Sequence, residues 1–338
     1  MVVSTASRLE QPLLLVLLAD GQLRSGERLA KELKVSRAAV WKGVERLRAL
    51  GLEVQALPRR GYRLSNPVEL LDARRIGAEL RPRRATQLRT LELKFEVDST
   101  NTRLLAAAPP PPGRADACLC ELQHAGRGRR GRRWIAPFGT GIALSVAWTF
   151  SDGAGALSAL SLAVGVAVAR ALARAGARGM TLKWPNDIWL HDRKVGGVLI
   201  ELKAEASGPA HVVVGVGLNV DLPAAARCEI EAGGVRVAAV ADACAVPPSR
   251  NLVAGAILDE LLSMLEQFER DGFAAFRDAW TALDGLNGRA ARVLLGHTVI
   301  SGTARGVDQE GALLLDTGDG LRRFVSGEAS LRVMEGET

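Results

Sequence analysis

Three short apolar-periodic stretches open the chain, Leu9 to Leu18, Arg28 to Leu33 and Ala38 to Leu50, with brief turns between them. Ser25 and Ser36 stand just ahead of the second and third, where a side-chain oxygen can accept from free backbone amides and start a helix. Val40, Val44 and Leu47 recur at i, i+4 and i+7, giving the third stretch one buried stripe, and Gly51 follows where a helix should stop. Leu52 to Leu57 and Tyr62 to Leu64 then read as two strands around the basic turn Pro58-Arg59-Arg60-Gly61. Three helices followed by a hairpin predict a winged helix-turn-helix over residues 1–65.

After the turn signal Asn66-Pro67 the pattern to Leu80 looks helical. Strand-like runs follow at Leu91 to Val97, Ala117 to Leu122 and Val212 to Val220, and Pro109 to Pro112 reads as a surface loop. The most apolar stretch, Ala154 to Val168, is shorter than the roughly 20 residues a membrane helix needs and runs into Arg170 and Arg174, so it is expected to be a core helix. Helices over Asn251 to Phe268 and Phe273 to Leu283 are expected to cover a central sheet. From Gly288 onward short strands are broken by Asp308-Gln309-Glu310-Gly311 and Thr317-Gly318-Asp319-Gly320, which suits a small β-barrel. The chain is therefore read as an α/β multidomain protein: a winged helix-turn-helix at 1–65, a central α+β domain at 66–287 and a small β domain at 288–338.

Composition narrows the class. With 338 residues, 48% hydrophobic and 24% charged, the chain is long enough for two or three globular domains and too apolar to be mostly disordered. Cys118, Cys120, Cys228 and Cys244 show no metal spacing and read as free thiols in a reducing cytoplasm. Met1 to Leu18 carries Arg8 and Glu10 without a cleavage pattern, so no signal peptide is expected. Residues 1–65 hold twelve Lys/Arg against six Asp/Glu, so almost all of the +7 net charge lies in the first fifth of the chain and points to a polyanion partner there. In a winged helix the helix after Ser36 would enter the major groove with Arg37 and Lys42 outward, while Arg59, Arg60 and Arg63 of the wing meet phosphates. A three-helix packing module with a merely solvated basic face is the plain alternative.

The central domain carries the chemistry. Gly126-Arg127-Gly128-Arg129-Arg130-Gly131-Arg132-Arg133-Trp134 formally matches a dinucleotide fingerprint. Trp134 to Gly139 is not helical in pattern, however, and no acid stands where a ribose partner belongs, so that reading is rejected. Glycines alternating with arginines suit a loop that closes on an anion with planar, bidentate forks; a nucleic-acid patch or a solvated loop remains open on this segment alone. Lys183-Trp184-Pro185-Asn186-Asp187 ends a strand, and His191-Asp192-Arg193-Lys194 turns into Val195 to Leu202, a hairpin with a lysine at its return. Asp98-Ser99-Thr100-Asn101 at a strand end either caps a helix or hydrogen-bonds a neutral polar ligand. The four histidines show no metal spacing, and no Ser-His-Asp constellation emerges.

Taken in order, Asp98 to Asn101, Gln123 with the Gly126 to Trp134 loop, Lys183 to Asp187, Asp192 to Lys194, Gly215 to Asn219 and Ser326 to Arg332 resemble the bifunctional biotin protein ligases that double as biotin operon repressors. The resemblance spans nearly the whole chain. It implies a biotin/lipoate-ligase-like catalytic domain with a mixed sheet, followed by an SH3-like domain. It also implies that biotin and ATP, with Mg²⁺, form biotinyl-5′-AMP, and that biotin passes to a lysine of the biotin carboxyl carrier protein of acetyl-CoA carboxylase. In that scheme Ser99, Thr100, Asn101 and Gln123 meet the ureido ring, and Arg127, Gly128 and Arg129 belong to the closing loop. Lys194, with Arg129 as the second catalytic group, meets the biotin carboxylate and α-phosphate, while Trp134 and Asn219 serve the nucleotide. Ser36, Arg37, Lys42, Arg59 and Arg60 serve operator DNA, and the adenylate favours a homodimer. A lipoate ligase would carry a different ligand motif, an Arg-Arg followed by a glycine triplet and a His-Asp, and that ordered motif is not found here. A ligand-sensing regulator without turnover is the other rival, and the presence of Lys194 argues against it.

Overall fold

The structure, a computed structural model, describes residues 6–151, 157, 159–204, 208–325 and 330–333. The N-terminal module comprises α1 (Ala6–Leu18), α2 (Gly26–Leu33) and α3 (Arg37–Ala49), then β1 (Val54–Leu57) and β2 (Gly61–Leu64) as an antiparallel wing. Ser25 Oγ accepts from Arg28 N and Ser36 Oγ from Ala39 N, so both expected caps are made. Val40, Val44 and Leu47 are buried against Leu14, Leu15, Leu18 and Leu29. Gly51 takes φ 87° at the end of α3, a conformation that costs glycine little.

The stretch after Pro67 is not the continuous helix its pattern suggested. Only α4 (Ala73–Ala78) and α5 (Pro82–Gln87) are helical there. Residues 68–71 have no regular secondary structure and are held by nonlocal partners: Val68 N donates to Ala19 O and Leu71 N donates to Glu121 Oε1. Glu69 accepts from Ser249, Arg250 and Asn251.

The central sheet contains β3 (Leu88–Val97), β4 (Ala115–Gln123), β5 (Gly141–Phe150), β6 (Met180–Lys183), β7 (Asp187–Leu190), β8 (Arg193–Ala204) and β9 (Ala210–Asn219). α6 (Thr100–Leu105) lies between β3 and β4, and α7 (Leu160–Arg174) between β5 and β6. Strand order is β3-β4-β5-β9-β8-β7-β6, with β3 and β4 parallel and the remaining neighbours antiparallel, a mixed sheet. The apolar segment expected as a core helix from Ala154 enters α7 at Leu160; positions 152–156 and 158 lie outside the described residues. α8 (Ala224–Ala232) follows β9, and α9 (Arg250–Asp271) and α10 (Ala274–Leu283) pack with α7 on one sheet face.

Strand periodicity decides what faces what. Ile142, Leu144, Val146 and Trp148 of β5 and Val212, Val214, Val216 and Leu218 of β9 enter the core beneath the helices. Their alternates, Ala143, Ser145, Gly215 and Gly217, are left for the opposite face. Arg250 anchors the near end of that face. It donates to Gly141 O at 2.8 and 3.1 Å and to Glu69 O at 2.7 Å, and lies 2.9 Å from Glu121 Oε2. Phe138 joins the winged-helix core, with Val68, Leu70, Phe95 and Leu122 packed around it, so the two domains share apolar contact.

The C-terminal module is an antiparallel five-stranded sheet of the SH3-like type: β10 (Ala290–Leu295), β11 (Thr298–Val307), β12 (Leu313–Asp316), β13 (Leu321–Phe324) and β14 (Ser330–Val333), ordered β13-β12-β11-β10-β14. Of the Ser326 to Arg332 motif, residues 326–329 lie outside the described residues.

Candidate active site

A cavity of about 570 Å³ opens on the sheet face away from the helices. Its floor is formed by β5, β8 and β9, where glycines keep the strands low. A Cβ at Gly215 would stand 2.3 Å from Asn101 Oδ1, and one at Gly217 would stand 2.7 Å from the Trp134 ring. Glycine is therefore required at both positions by close approach rather than by turn geometry.

One end is polar and uncharged. Ser99 caps α6 by accepting from Thr102 N, so the plain reading of that residue holds, yet its side chain also lines the cavity. Gln123 Oε1 accepts from Thr100 N at 2.9 Å and lies 3.2 Å from Thr100 Oγ1, which leaves the Gln123 amide nitrogen as the donor for a ligand. Ser145, fully buried, has its hydroxyl 2.7 Å from Thr100 Oγ1 and 2.5 Å from Asn101 Oδ1. Asn101 spends both amide protons on the protein, donating to Leu199 O at 3.3 Å and Glu201 Oε2 at 2.8 Å. Asn101 thus holds the floor of this end.

The other end is charged. The β7–β8 hairpin places Lys194 Nζ 2.6 Å from Asp187 Oδ1 and 5.9 Å from the Trp134 ring centroid. Asn186 is tied across to β8, donating to Val198 O at 2.7 Å and accepting from Val198 N at 2.9 Å. Trp184 Nε1 donates to Gly311 O, joining this segment to the C-terminal module. The Lys-Trp-Pro-Asn-Asp run is thereby a structural clasp as well as a source of the Asp187 carboxylate.

The arginine-glycine loop covers the gap between the two ends. Trp134 N donates to Gly126 O at 2.9 Å and Gly128 N to Arg132 O at 2.6 Å, closing it on itself. Only a single turn of 3-10 helix, Arg129–Gly131, follows the glycines, with Arg130 at φ 56° and Gly131 at φ 71°, which is not the helix a dinucleotide fingerprint needs. Arg129 donates to Asn186 Oδ1 at 3.4 Å. Burial, then the Arg130 and Arg132 charges, hold its pKa below the ordinary arginine value, with Asp187 opposing them. Trp134 Nε1 is buried without a hydrogen-bond partner, an orphan donor of the kind a bound ligand satisfies. Asn219, also lining the cavity, donates to Ala238 O at 3.1 Å.

The three regions match family models in the same order: an HTH domain at 8–63, the Biotin/lipoate A/B protein ligase family at 94–219 and the Biotin protein ligase C terminal domain at 288–332. The chain is also 37% identical to the bifunctional ligase/repressor BirA of Salmonella typhimurium over 325 residues, covering 96% of this chain and 98% of that protein. It belongs to the BirA family of bifunctional ligase/repressors. The Escherichia coli BirA is 36% identical over 95% of this chain and 97% of its own length. Among solved structures, the Aquifex aeolicus biotin protein ligase in complex with biotin and ATP aligns with TM-score 0.61 and 28% identity, covering 73% of this chain and all of that one.

Within this BirA-family cavity the fold gathers the cavity residues expected from sequence: Ser99 to Asn101, Gln123, Arg127 to Arg129, Trp134, Lys194 and Asn219. The residues expected to serve DNA lie apart from this cavity, at the start of α3, along it and in the wing turn, with Ser36, Arg37, Lys42, Arg59 and Arg60 all exposed. Sequence reasoning missed Ser145, Asp187 as the partner of Lys194, and Glu201. Ser145 had a signal, a hydroxyl on the alternating face of a largely apolar strand; Glu201 had none that a single chain reveals.

Proposed function

We propose that this cavity joins biotin to AMP and then passes biotin to a carrier lysine, and that the winged helix makes the protein a biotin-responsive repressor. Ligase and repressor activity go with membership of the family; the residue roles are our reading. Ser99, Thr100 and Gln123 hydrogen-bond the neutral ureido ring, with Asn101 and Ser145 fixing them from behind. A buried polar head site rejects analogues strongly because unpaired donors and acceptors are costly. Lys194 brings the biotin carboxylate to the α-phosphate. A carboxylate oxygen bonds to phosphorus as the bond to pyrophosphate breaks, and Mg²⁺ enters with the ATP phosphates as part of that substrate. Arg129 adds positive charge where the transferring phosphoryl group carries negative charge. Trp134 faces adenine and Asn219 serves the nucleotide nearby. The carrier lysine amine then attacks the acyl carbon and AMP leaves.

The carrier is the biotin carboxyl carrier protein of acetyl-CoA carboxylase. Arg37 and Lys42 meet operator DNA in the major groove and Arg59 and Arg60 meet its backbone, with the chain acting as an adenylate-favoured homodimer in the cytoplasm. Divisions at 65/66 and 287/288 separate the winged helix, the catalytic domain and the SH3-like domain. Among the described residues no helix is long and apolar enough to cross a membrane.

The observation that carries this reading is the bipartite cavity: uncharged hydrogen-bonding groups at one end and a lysine beside an orphaned tryptophan donor at the other. Mass spectrometry of the protein with Mg-ATP and either biotin or lipoate tests it. Biotinyl-5′-AMP and transfer to a carrier domain support it; a lipoyl product overturns the substrate, and biotin binding without any product favours a sensor.

A further inference from the structure

Glu201 reaches two parts of the site from β8 without lining the cavity itself. Both its carboxylate oxygens lie 3.0 Å from Arg127 Nη2, and Oε2 also accepts from Asn101 Nδ2 at 2.8 Å. Arg127 belongs to the arginine-glycine loop, and Asn101 to the floor beneath the polar end. One carboxylate therefore bridges the cover of the cavity to its base.

The loop needs such a tether. Its glycines give it high conformational freedom, and its internal backbone hydrogen bonds close it on itself without tying it to the sheet, so its seat over the cavity must come from contacts outside it. Its arginines crowd one another: the charges of Arg130 and Arg132 both act against Arg129. A carboxylate on a regular strand relieves that repulsion and supplies a fixed point.

We infer that Glu201 is the latch of this loop, a positioning residue that sets how long the acyl-adenylate stays enclosed. The inference rests on the ligase reading above. When the latch opens early, the mixed anhydride escapes. Any amine can then attack its acyl carbon, forming an amide as the bond to AMP breaks, with the amine proton passing to water.

The test uses the full chain loaded with labelled biotin and Mg-ATP, in the presence of pyrophosphatase. Adenylate release is followed by rapid filtration, and stray labelling by the biotin acquired by a bystander albumin. Glu201→Gln keeps an acceptor for Asn101 but removes the charge that holds Arg127. Release is expected to quicken roughly three- to tenfold, the scale of a partly exposed ion pair assisted by hydrogen bonding, and albumin labelling to rise with it. The KM for biotin should rise by a larger factor than kcat falls. Wild-type release should also quicken with added salt, whereas release from Glu201→Gln should not.

Arg127→Gln should match Glu201→Gln, and the two together should be no worse than either alone, which separates a latch from general loosening of the fold. Release from a folded Glu201→Gln at the wild-type rate, or fully additive effects, would overturn the latch. A wild type that forms no adenylate would overturn the ligase reading itself, and the latch with it.

Discussion

Replacing Lys194 with alanine is the most direct test of how the charged end works. In a half-open cavity with an effective dielectric of about 20, a unit charge about 4 Å from developing negative charge is worth about 4 kcal/mol. Losing a preorganised group of this kind costs roughly 10² to 10³ in kcat. The two scales agree, so Lys194→Ala should slow adenylate formation by that factor. Biotin affinity should change much less, because in the proposed scheme the ureido end is held by neutral groups at the start of α6 and on β4. A second effect needs separating. Asp187 lies 2.6 Å from Lys194, and without it this carboxylate stands unpaired where two anions must approach. Lys194→Ala/Asp187→Asn should therefore recover part of the loss, the recovered fraction measuring repulsion and the remainder the missing ammonium. Single-turnover formation of biotinyl-5′-AMP reads the rate, calorimetry reads biotin binding, and a thermal melt confirms folding. Lys194→Ala within tenfold of wild type, or a parallel collapse of biotin affinity, would refute the argument.

Gly217→Val should push Trp134 from its seat, since even a Cβ there stands 2.7 Å from the ring, and raise the KM for ATP roughly tenfold or more with less effect on biotin binding, as steady-state kinetics would register. At the DNA, Arg59→Ala and Arg60→Ala should each lower the slope of log K against log salt by about 0.9, whereas Arg37→Ala should relax sequence preference in competition with random duplex. A pH effect on stability is expected at His211, which is buried with neither ring nitrogen in a hydrogen bond of good geometry. Burial first, then the Lys203 charge, hold its pKa below the ordinary value, and the Trp148 backbone and Asp116 offset only part of this. The unfolded chain therefore takes up a proton as pH falls through about 6.5 while the folded protein resists it, so stability drops below that pH. His211→Asn should flatten the dependence of melting temperature on pH between about 7 and 5.

The sequence showed the winged helix most fully because its determinants are local. Ser25, Ser36 and Gly51 act on backbone within a few residues, and the stripe of Val40, Val44 and Leu47 needs only helical periodicity. The segment after Pro67 misled for the converse reason. Its apolar spacing permits a helix, but hydrogen bonds from the Val68 amide to Ala19 and from the Leu71 amide to Glu121 outweigh that weak local preference and keep residues 68–71 out of it.

The candidate site divides along the same line. The motifs at Ser99 to Asn101, the arginine-glycine loop and Lys194 carry a resemblance to a family, and it was that resemblance, more than the residue types themselves, that implied one shared site for them. Which groups remain available to a ligand was decided only by the folded sheet. Arg127 meets Glu201 across 74 residues, and Asn101 meets Ser145 across 44. Both contacts depend on which strands are neighbours and on their register, since a one-residue slip would turn Ser145 or Glu201 to the helix-covered face. Sequence alone therefore determined the local elements and the available chemistry. Tertiary structure determined the pairing, because hydrogen bonds and ion pairs require angstrom-scale placement of groups that the linear order keeps far apart.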